Sequence, residues 1–523
     1  MSTKVGNKER SSESSNIVAQ GGTVAGMTLF SRITGLIRDM AFSFFFGATD
    51  SADAFFVAFR IPNFFRRLFA EGAFIQAVVP VLAEYRSKEK PDFQEFVAAI
   101  LGGLLALLFP IILAGVFFSS AFVMVFAPGF WHDEVRFGLT RDMLRITFPY
   151  LGFISLTALS AAILNSHNRY ALPALTPVLL NLVLISAVLF ASDSFANPVH
   201  ALAWAVLVAG AIQFVFQLPL LHQLGFIVRP RLDFGHAGVK KVRNLLGPGI
   251  FAASVNQINS LIDTILASTL VAGSISWLYY SDRLFELPIG ILAVALGTVL
   301  LPNLSRLRTL DKRHEFSELL DWGLRVGWIF GLPAAAAIYF LAFPLISTTF
   351  YRGAMTTFDV EMATLSLQAF AIGLPGFVFA KILAPGYFAM QNTKTPFRFA
   401  LISVATNILI NLSLFSWLGH VGLALGTAAA GWVNAILLFR GLIKDNLYTP
   451  KRNTFYTALR TFFGAVLMII FLVIFTPNNE TWLISNESER FTLMTFLVFG
   501  GVLVYFLALF LFGERIRRLM LRI

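Results

Sequence analysis

Apolar runs of about twenty residues or more recur from one end of this chain to the other, and they leave it few possible folds. A run such as Phe96 to Phe126 is long enough to cross the hydrocarbon layer as a helix. A membrane β-barrel would instead show short segments of alternating polarity, and these runs are unbroken. Only 13% of the 523 residues are charged, about half the share in soluble chains. No single soluble core could hide 56 phenylalanines. The fold class is therefore an all-α polytopic membrane protein.

Fourteen segments read as transmembrane spans: 25–46, 53–82, 94–126, 143–165, 173–192, 199–222, 246–272, 274–304, 319–349, 360–390, 396–418, 421–440, 455–476 and 491–513. The first, second, seventh and eighth are unusually polar. The distribution of Lys and Arg tests the count, because cytoplasmic connections carry the excess of positive charge. With the N-terminus in the cytoplasm, 26 basic residues fall on inside segments and only 4 (Arg136, Arg141, Arg352 and Arg490) on outside ones. A wrong count would break that alternation. Both termini are thus expected in the cytoplasm. The net charge of +11 follows from this topology and does not imply nucleic acid.

Residues 1–24 are polar and Ser-rich, with Lys4, Lys8 and Arg10, and lack the apolar core and cleavage site of a signal peptide. They read as a disordered cytoplasmic tail. The longest connection, 223–245, reads as a basic cytoplasmic linker. It separates an N-lobe of six spans (25–222) from a C-lobe of six (246–440), and 441–523 holds the last two spans and a cytoplasmic C-terminus. The lobes look like parallel repeats, as in some transporters. Pro62, Pro80 and Pro173 recur as Pro288, Pro302 and Pro396, at offsets of 226, 222 and 223.

A charge in the middle of a span costs about 2.5–3.5 kcal/mol on insertion scales. Arg32, Arg38, Arg60, Arg66, Arg67 and Arg283 lie within spans one, two and eight, so together they would cost on the order of 15–20 kcal/mol if uncompensated. In span two, Asp53, Arg60, Asn63, Arg67 and Glu71 fall on one helical stripe, with Arg66 beside it. In span one, Arg32, Gly35 and Asp39 form a stripe and Arg38 lies to its side. Span eight adds Asp282, Arg283 and Glu286, and span seven adds Asn256, Asn259 and Asp263. Two readings fit these residues. One is an internal ion-pair network, with Arg67 and Glu71 as natural i, i+4 partners. The other is an anion cavity, for which arginine suits better than lysine, since its planar fork binds phosphate oxygens in pairs.

The remaining polar residues carry less. Arg145, Arg325, Lys381 and Arg460 lie near span ends and are expected to snorkel. His167, His222 and His420 have no ligand-like spacing, and there is no cysteine for a disulfide or thiolate metal site. Gly102, Gly103 and Ala106 read as surfaces for helix packing. No phosphate-binding loop, HExxH or GxSxG motif occurs, so nothing points to an enzyme. No cofactor is expected.

The stretches SRITGLIRD (Ser31 to Asp39) and ADAFFVAFRIPNFFRRLFAEGAFIQAVVPVLAEY (Ala52 to Tyr85) resemble the N-terminal signature of the MurJ (MviN) family of lipid II flippases. This family sits within the multidrug/oligosaccharidyl-lipid/polysaccharide exporter superfamily. ITFPY (Ile146 to Tyr150), WLYYSDRLFELPIGILAVALGTVLLP (Trp277 to Pro302) and KILAPGYFAMQNTKTP (Lys381 to Pro396) extend the resemblance over the whole chain from about residue 24.

The resemblance implies a transporter of the bacterial cytoplasmic (inner) membrane, acting in peptidoglycan synthesis. Its substrate would be lipid II, an undecaprenyl-pyrophosphate carrying the disaccharide-pentapeptide. Arg32, Arg38 and Arg283, with Arg66, Arg67 and Asn63, would bind the pyrophosphate. Asp39, Asp53, Glu71, Asp282 and Glu286 would serve gating and ion pairing. Spans 13 and 14 would form a groove for the lipid tail. Alternating access would be driven by the membrane potential or a coupling ion, in a monomer embedded among membrane lipids and working beside the peptidoglycan synthesis machinery. Three other readings compete: another cargo in the same superfamily, a lipid-linked glycosyltransferase, and an envelope scaffold. A cationic cavity disfavours cationic drugs, short outer loops disfavour the enzyme, and a scaffold leaves the buried arginines unexplained.

Overall fold

The computed structural model describes residues 26–68, 73–87 and 89–514, and it describes no side chain at 73, 247–256 or 293–295. The tail 1–24, Glu71, Lys88, the arginines after Glu514 and the side chain of Asn256 lie outside the described residues. The described residues form helices joined by turns and short connections, with no strand. Eleven helical segments are long and apolar enough to cross a membrane. The other three segments read as spans are the first, second and seventh, three of the four polar ones, and they too are helical where described. They are α1 (26–46), the pair α2 (Asp50–Arg66) and α3 (Ala73–Arg86), and α10 (Ala237–Ser268).

Several apolar runs that look continuous are interrupted. In span two α2 ends at Arg66, residues 67 and 68 take a wider turn, and α3 begins the next described stretch at Ala73. The run 94–126 divides at Phe118 into α4 (Lys90–Phe117) and α5 (Ser119–Phe126). The fourth span is preceded by α6 (Glu134–Thr147), and the turn at Phe148–Pro149 leads into α7 (Tyr150–Ser166). Asp133 caps α6, its side chain accepting from the Arg136 backbone N–H.

The chain forms two compact units. The first comprises the described residues up to Phe46 and Asp50–Gln257. It adds α8 (Ala171–Phe190) and α9 (His200–Leu224) to the helices above, with α7 and α8 both packed on α9. One core of this unit joins Phe74, Val78, Leu82, Tyr85, Phe93, Phe96, Leu159 and Phe226. The division between the units falls inside α10, after Gln257.

The second unit holds Gly47–Thr49 and everything from Ile258 onward. Its helices are α11 (Ser274–Thr309), α12 (Arg313–Phe340), α13 (Ala342–Phe350), α14 (Thr357–Ala389), α15 (Lys394–Leu418), α16 (His420–Lys444), α17 (Arg452–Phe475), α18 (Asn479–Ile484) and α19 (Glu487–Leu511). α14 runs through the middle of this unit, packed by α11, α12 and α16. Small residues let the backbones meet, as lipid-embedded helices require. A Cβ at Gly376 would lie 2.7 Å from Trp432 N, and one at Gly373 2.5 Å from Ala428 Cα. α17 and α19 pair and rest on α12, where the Tyr505 hydroxyl donates to Ile329 O at 2.7 Å.

Arg325 and Arg460 do not simply snorkel. Arg325 pairs with buried Asp321 at 3.2 Å and Arg460 with Glu514 at 2.8 Å. Arg145 donates to Ser119 Oγ at 3.0 Å.

Candidate functional site

In the first unit, the polar residues of α1 turn inward. Arg38 is 5% exposed and Asp39 1%. The Arg38 guanidinium donates through Nε and Nη2 to Asp39 Oδ1 at 3.0 and 2.6 Å, and through Nη1 to Asn181 Oδ1 at 3.0 Å. It also lies 5.5 Å from the Phe42 ring centroid. Asn181, on α8, then reaches back. Its Nδ2 donates to Ser31 O at 3.2 Å and Thr34 Oγ1 at 3.1 Å. Gly35 faces that amide, and a Cβ there would sit in ordinary contact with Asn181 Nδ2 at 3.5 Å. One buried asparagine thus grips both the backbone and the arginine of α1. Sequence reading missed it. Its only signal was a single amide in the run LTPVLLNLVLI.

Arg32 is half-buried on α1. On α2, Asp53 is fully buried in the first turn, where the helix dipole favours a carboxylate, and it is engaged there. Arg60, Asn63 and Arg66 are half-buried on the same helix, and Asn63 Oδ1 is shielded yet accepts no hydrogen bond among the described residues. Arg67 is exposed and donates to Gln257 Oε1 at 3.1 Å. The expected pairing of Arg67 with Glu71 lies outside the described residues.

In the second unit, Arg283 is half-buried on α11. It donates to the Tyr279 hydroxyl at 3.1 Å and stacks over that ring at 5.0 Å. Asp282 is half-buried and Glu286 exposed. On α10, Asp263 accepts from Asn411 Nδ2 at 2.6 Å and from Thr427 Oγ1 at 3.3 Å. Asn411 also donates to Asn407 Oδ1 at 3.0 Å, and both asparagines are fully buried on α15. Asp263 stands 224 residues after Asp39, in step with the proline repeat. A buried amide on the helix that reads as the fifth of its lobe serves each site, through Arg38 in the first unit and on Asp263 directly in the second. In the first unit an arginine shares the site. In the second, amides and a hydroxyl bind the carboxylate.

The family model described as "Lipid II flippase MurJ" matches residues 42–499. A "Probable lipid II flippase MurJ" of Vibrio cholerae serotype O1 is 41% identical over 515 residues, covering 97% of this chain and 98% of that protein. A "Lipid II flippase MurJ" of Burkholderia cenocepacia is 40% identical over 503 residues, covering 94% and 96%. Among solved structures, "Lipid II flippase MurJ, inward closed conformation" matches with TM-score 0.78 and 28% identity, over 95% of this chain and 99% of that one. A multidrug resistance MATE family transporter, in an inward-facing conformation, shares the fold with TM-score 0.67 at 14% identity, over 81% and 97%. A match over most of the chain, together with relatives of this identity and coverage, decides the family: the chain belongs to the lipid II flippase MurJ family.

Proposed function

We propose that this chain carries lipid II from the cytoplasmic to the periplasmic leaflet of the bacterial inner membrane. The observation that carries the reading is a set of arginines on otherwise apolar helices: Arg32, Arg66 and Arg283 half-buried and Arg67 exposed, in a chain of this family. Retaining such charges in a membrane is costly unless something anionic or aqueous meets them. A pyrophosphate is the anion that a set of planar guanidinium forks fits best.

In this reading Arg32, Arg38, Asn63, Arg66, Arg67 and Arg283 receive the pyrophosphate. Arg38 contributes its charge from a position fixed by Asp39 and Asn181. Asp39, Asp53, Glu71, Asp282 and Glu286 exchange ion pairs as two six-span lobes, 25–222 and 246–440, alternate access. Fourteen spans leave both termini in the cytoplasm. The α17–α19 pair offers its exposed apolar side to the polyprenyl tail, with Phe462, Ile470, Phe499 and Leu503 on that surface. The chain works as a monomer beside the peptidoglycan synthesis machinery. Direction comes from a coupling ion or from the membrane potential, which acts at roughly 2.3 kcal/mol per charge per 100 mV.

The test is lipid II translocation in cells depleted of their own flippase and carrying this chain, either unchanged or as Arg38→Ala or Arg283→Ala at matched protein levels. The unchanged chain should restore outward movement. Losing one charge-assisted phosphate contact should lower it about ten- to a hundredfold. Movement restored by both variants would make these charges structural. A well-expressed unchanged chain that moves no lipid II would point to another lipid-linked glycan.

A further inference from the structure

We propose that residues 226–236, between α9 and α10, form a strap that anchors the first unit to the anionic lipid surface of the cytoplasmic leaflet. The assignment of this leaflet rests on the topology given under Proposed function. α9 ends on Gly225 in the left-handed region (φ 78°), and the chain then runs without helix until Ala237.

The strap's inner side is firmly seated. Phe226 is buried, with its ring centroid 4.7 Å from both Phe93 and His167. Gln94 Nε2 donates to Gly225 O at 2.6 Å, and Arg231 N donates to Ala98 O at 2.9 Å. Arg231 also pairs with Glu95 at 2.9 Å, and His236 lies against Tyr85 and Phe96. The groove that admits this backbone is Gly102. A Cβ there would fall 2.2 Å from Arg231 O, whereas one at Gly103 would meet nothing within 4 Å. The Gly102 surface expected to pack a helix therefore packs the strap.

The strap's outer side is apolar and basic together. Ile227, Leu232 and Phe234 are 54%, 68% and 55% exposed. Arg229 on the strap, with Lys240 and Arg243 just beyond it on α10, is exposed, and none of the three has a carboxylate partner among the described residues. Depth along α4 explains the mixture. Arg231 and Glu95 mark a level where charge is tolerated. Ala98 and Gly102 lie three and seven residues further along, about 5 and 10 Å deeper at the helical rise. That is the range to which interfacial segments sink their apolar side. The same exposed apolar surface continues along α4 through Leu107 and Phe109. Non-helical backbone does not enter the hydrocarbon itself, so the strap stops at the headgroup boundary. There its free cations meet lipid phosphates.

The chain has no cysteine, so single substitutions can carry a probe without further change. Phe234→Cys and, separately, Ile227→Cys in the full chain would be labelled with an environment-sensitive dye. The labelled chains would be reconstituted in phosphatidylcholine vesicles with or without phosphatidylglycerol. An Arg313→Cys label, at the exposed start of α12, is the aqueous reference. The expected result is quenching by nitroxide placed shallow on the lipid and several-fold weaker iodide quenching than at the reference. Phosphatidylglycerol should deepen the effect, and Arg229→Gln should abolish that deepening. Dyes at both sites quenched by iodide as strongly as the reference would overturn the anchor. Lipid quenching indifferent to phosphatidylglycerol and to Arg229→Gln would overturn the anionic recognition. The readout needs no lipid II transport, so a failed transport assay leaves it standing, and the reverse holds too.

Discussion

Arg38 is held by a neighbour on its own helix and by an amide 143 residues away. Hydrogen bonds to a buried charge contribute about 1.5–3 kcal/mol, so Asn181→Ala should lower stability by about 2 kcal/mol, read from unfolding in detergent. If Asn181 also aims Arg38, the pair will not be additive. Asn181→Ala with Arg38→Ala should then impair lipid II translocation no more than Arg38→Ala alone, and an additive loss would confine Asn181 to a structural role. The charges were legible in the sequence because arginine in an apolar run stands out and helical phase sorts its face. Their partners were not. Asn181 and Asn411 each look like minor polar interruptions until the fold brings a guanidinium or a carboxylate to them. The repeat set span seven, with Asp263, against span one, with Asp39. It could not say that one carboxylate would bind an arginine and the other two neutral side chains.

Among the elements, hydropathy located the helices and misjudged their breaks. The division of the run 94–126 at Phe118 leaves no mark in composition, because both sides of the break are equally apolar. Glycine roles were read only in part. Gly376→Leu should drive a side chain into the α16 backbone and cost about 1–3 kcal/mol, visible as a lower melting temperature, while Gly103→Leu should be nearly silent. The connection from α16 to α17 is clasped. The Tyr448 hydroxyl donates to Asp321 Oδ1 at 3.1 Å, Lys451 pairs with Glu318 at 2.7 Å, and Thr449 N donates to Ser317 Oγ at 3.0 Å. Burial, followed by the Asp321 charge and hydrogen bond, pushes the Tyr448 phenol above its ordinary value near 10. A raised pKa stabilises the fold below the unfolded value and loses that contribution as pH climbs through the folded one. Stability should therefore fall above about pH 10, and Tyr448→Phe should flatten that fall in alkaline melting curves, at the cost of lower stability at neutral pH.

For the whole molecule, membrane class and helical architecture followed from run length alone, because the bilayer fixes both the length and the polarity of what crosses it. The grouping of helices into two compact units needed three dimensions. α17 and α19 fall outside the internal repeat, yet they belong to the second unit through two attachments, Tyr505 on Ile329 and the clasp around Asp321, while Glu514 on Arg460 and Thr457 ties the end of α19 to α17. That tie decides where the chain can be trimmed. A deletion after Phe512 strips the Arg460 guanidinium of its carboxylate and leaves a cation facing lipid, so yield and detergent half-life should drop. A deletion after Glu514 keeps the pair and should extract as well as the full-length protein. Two residues therefore separate a usable expression boundary from a damaging one, and a purification tag belongs beyond Glu514.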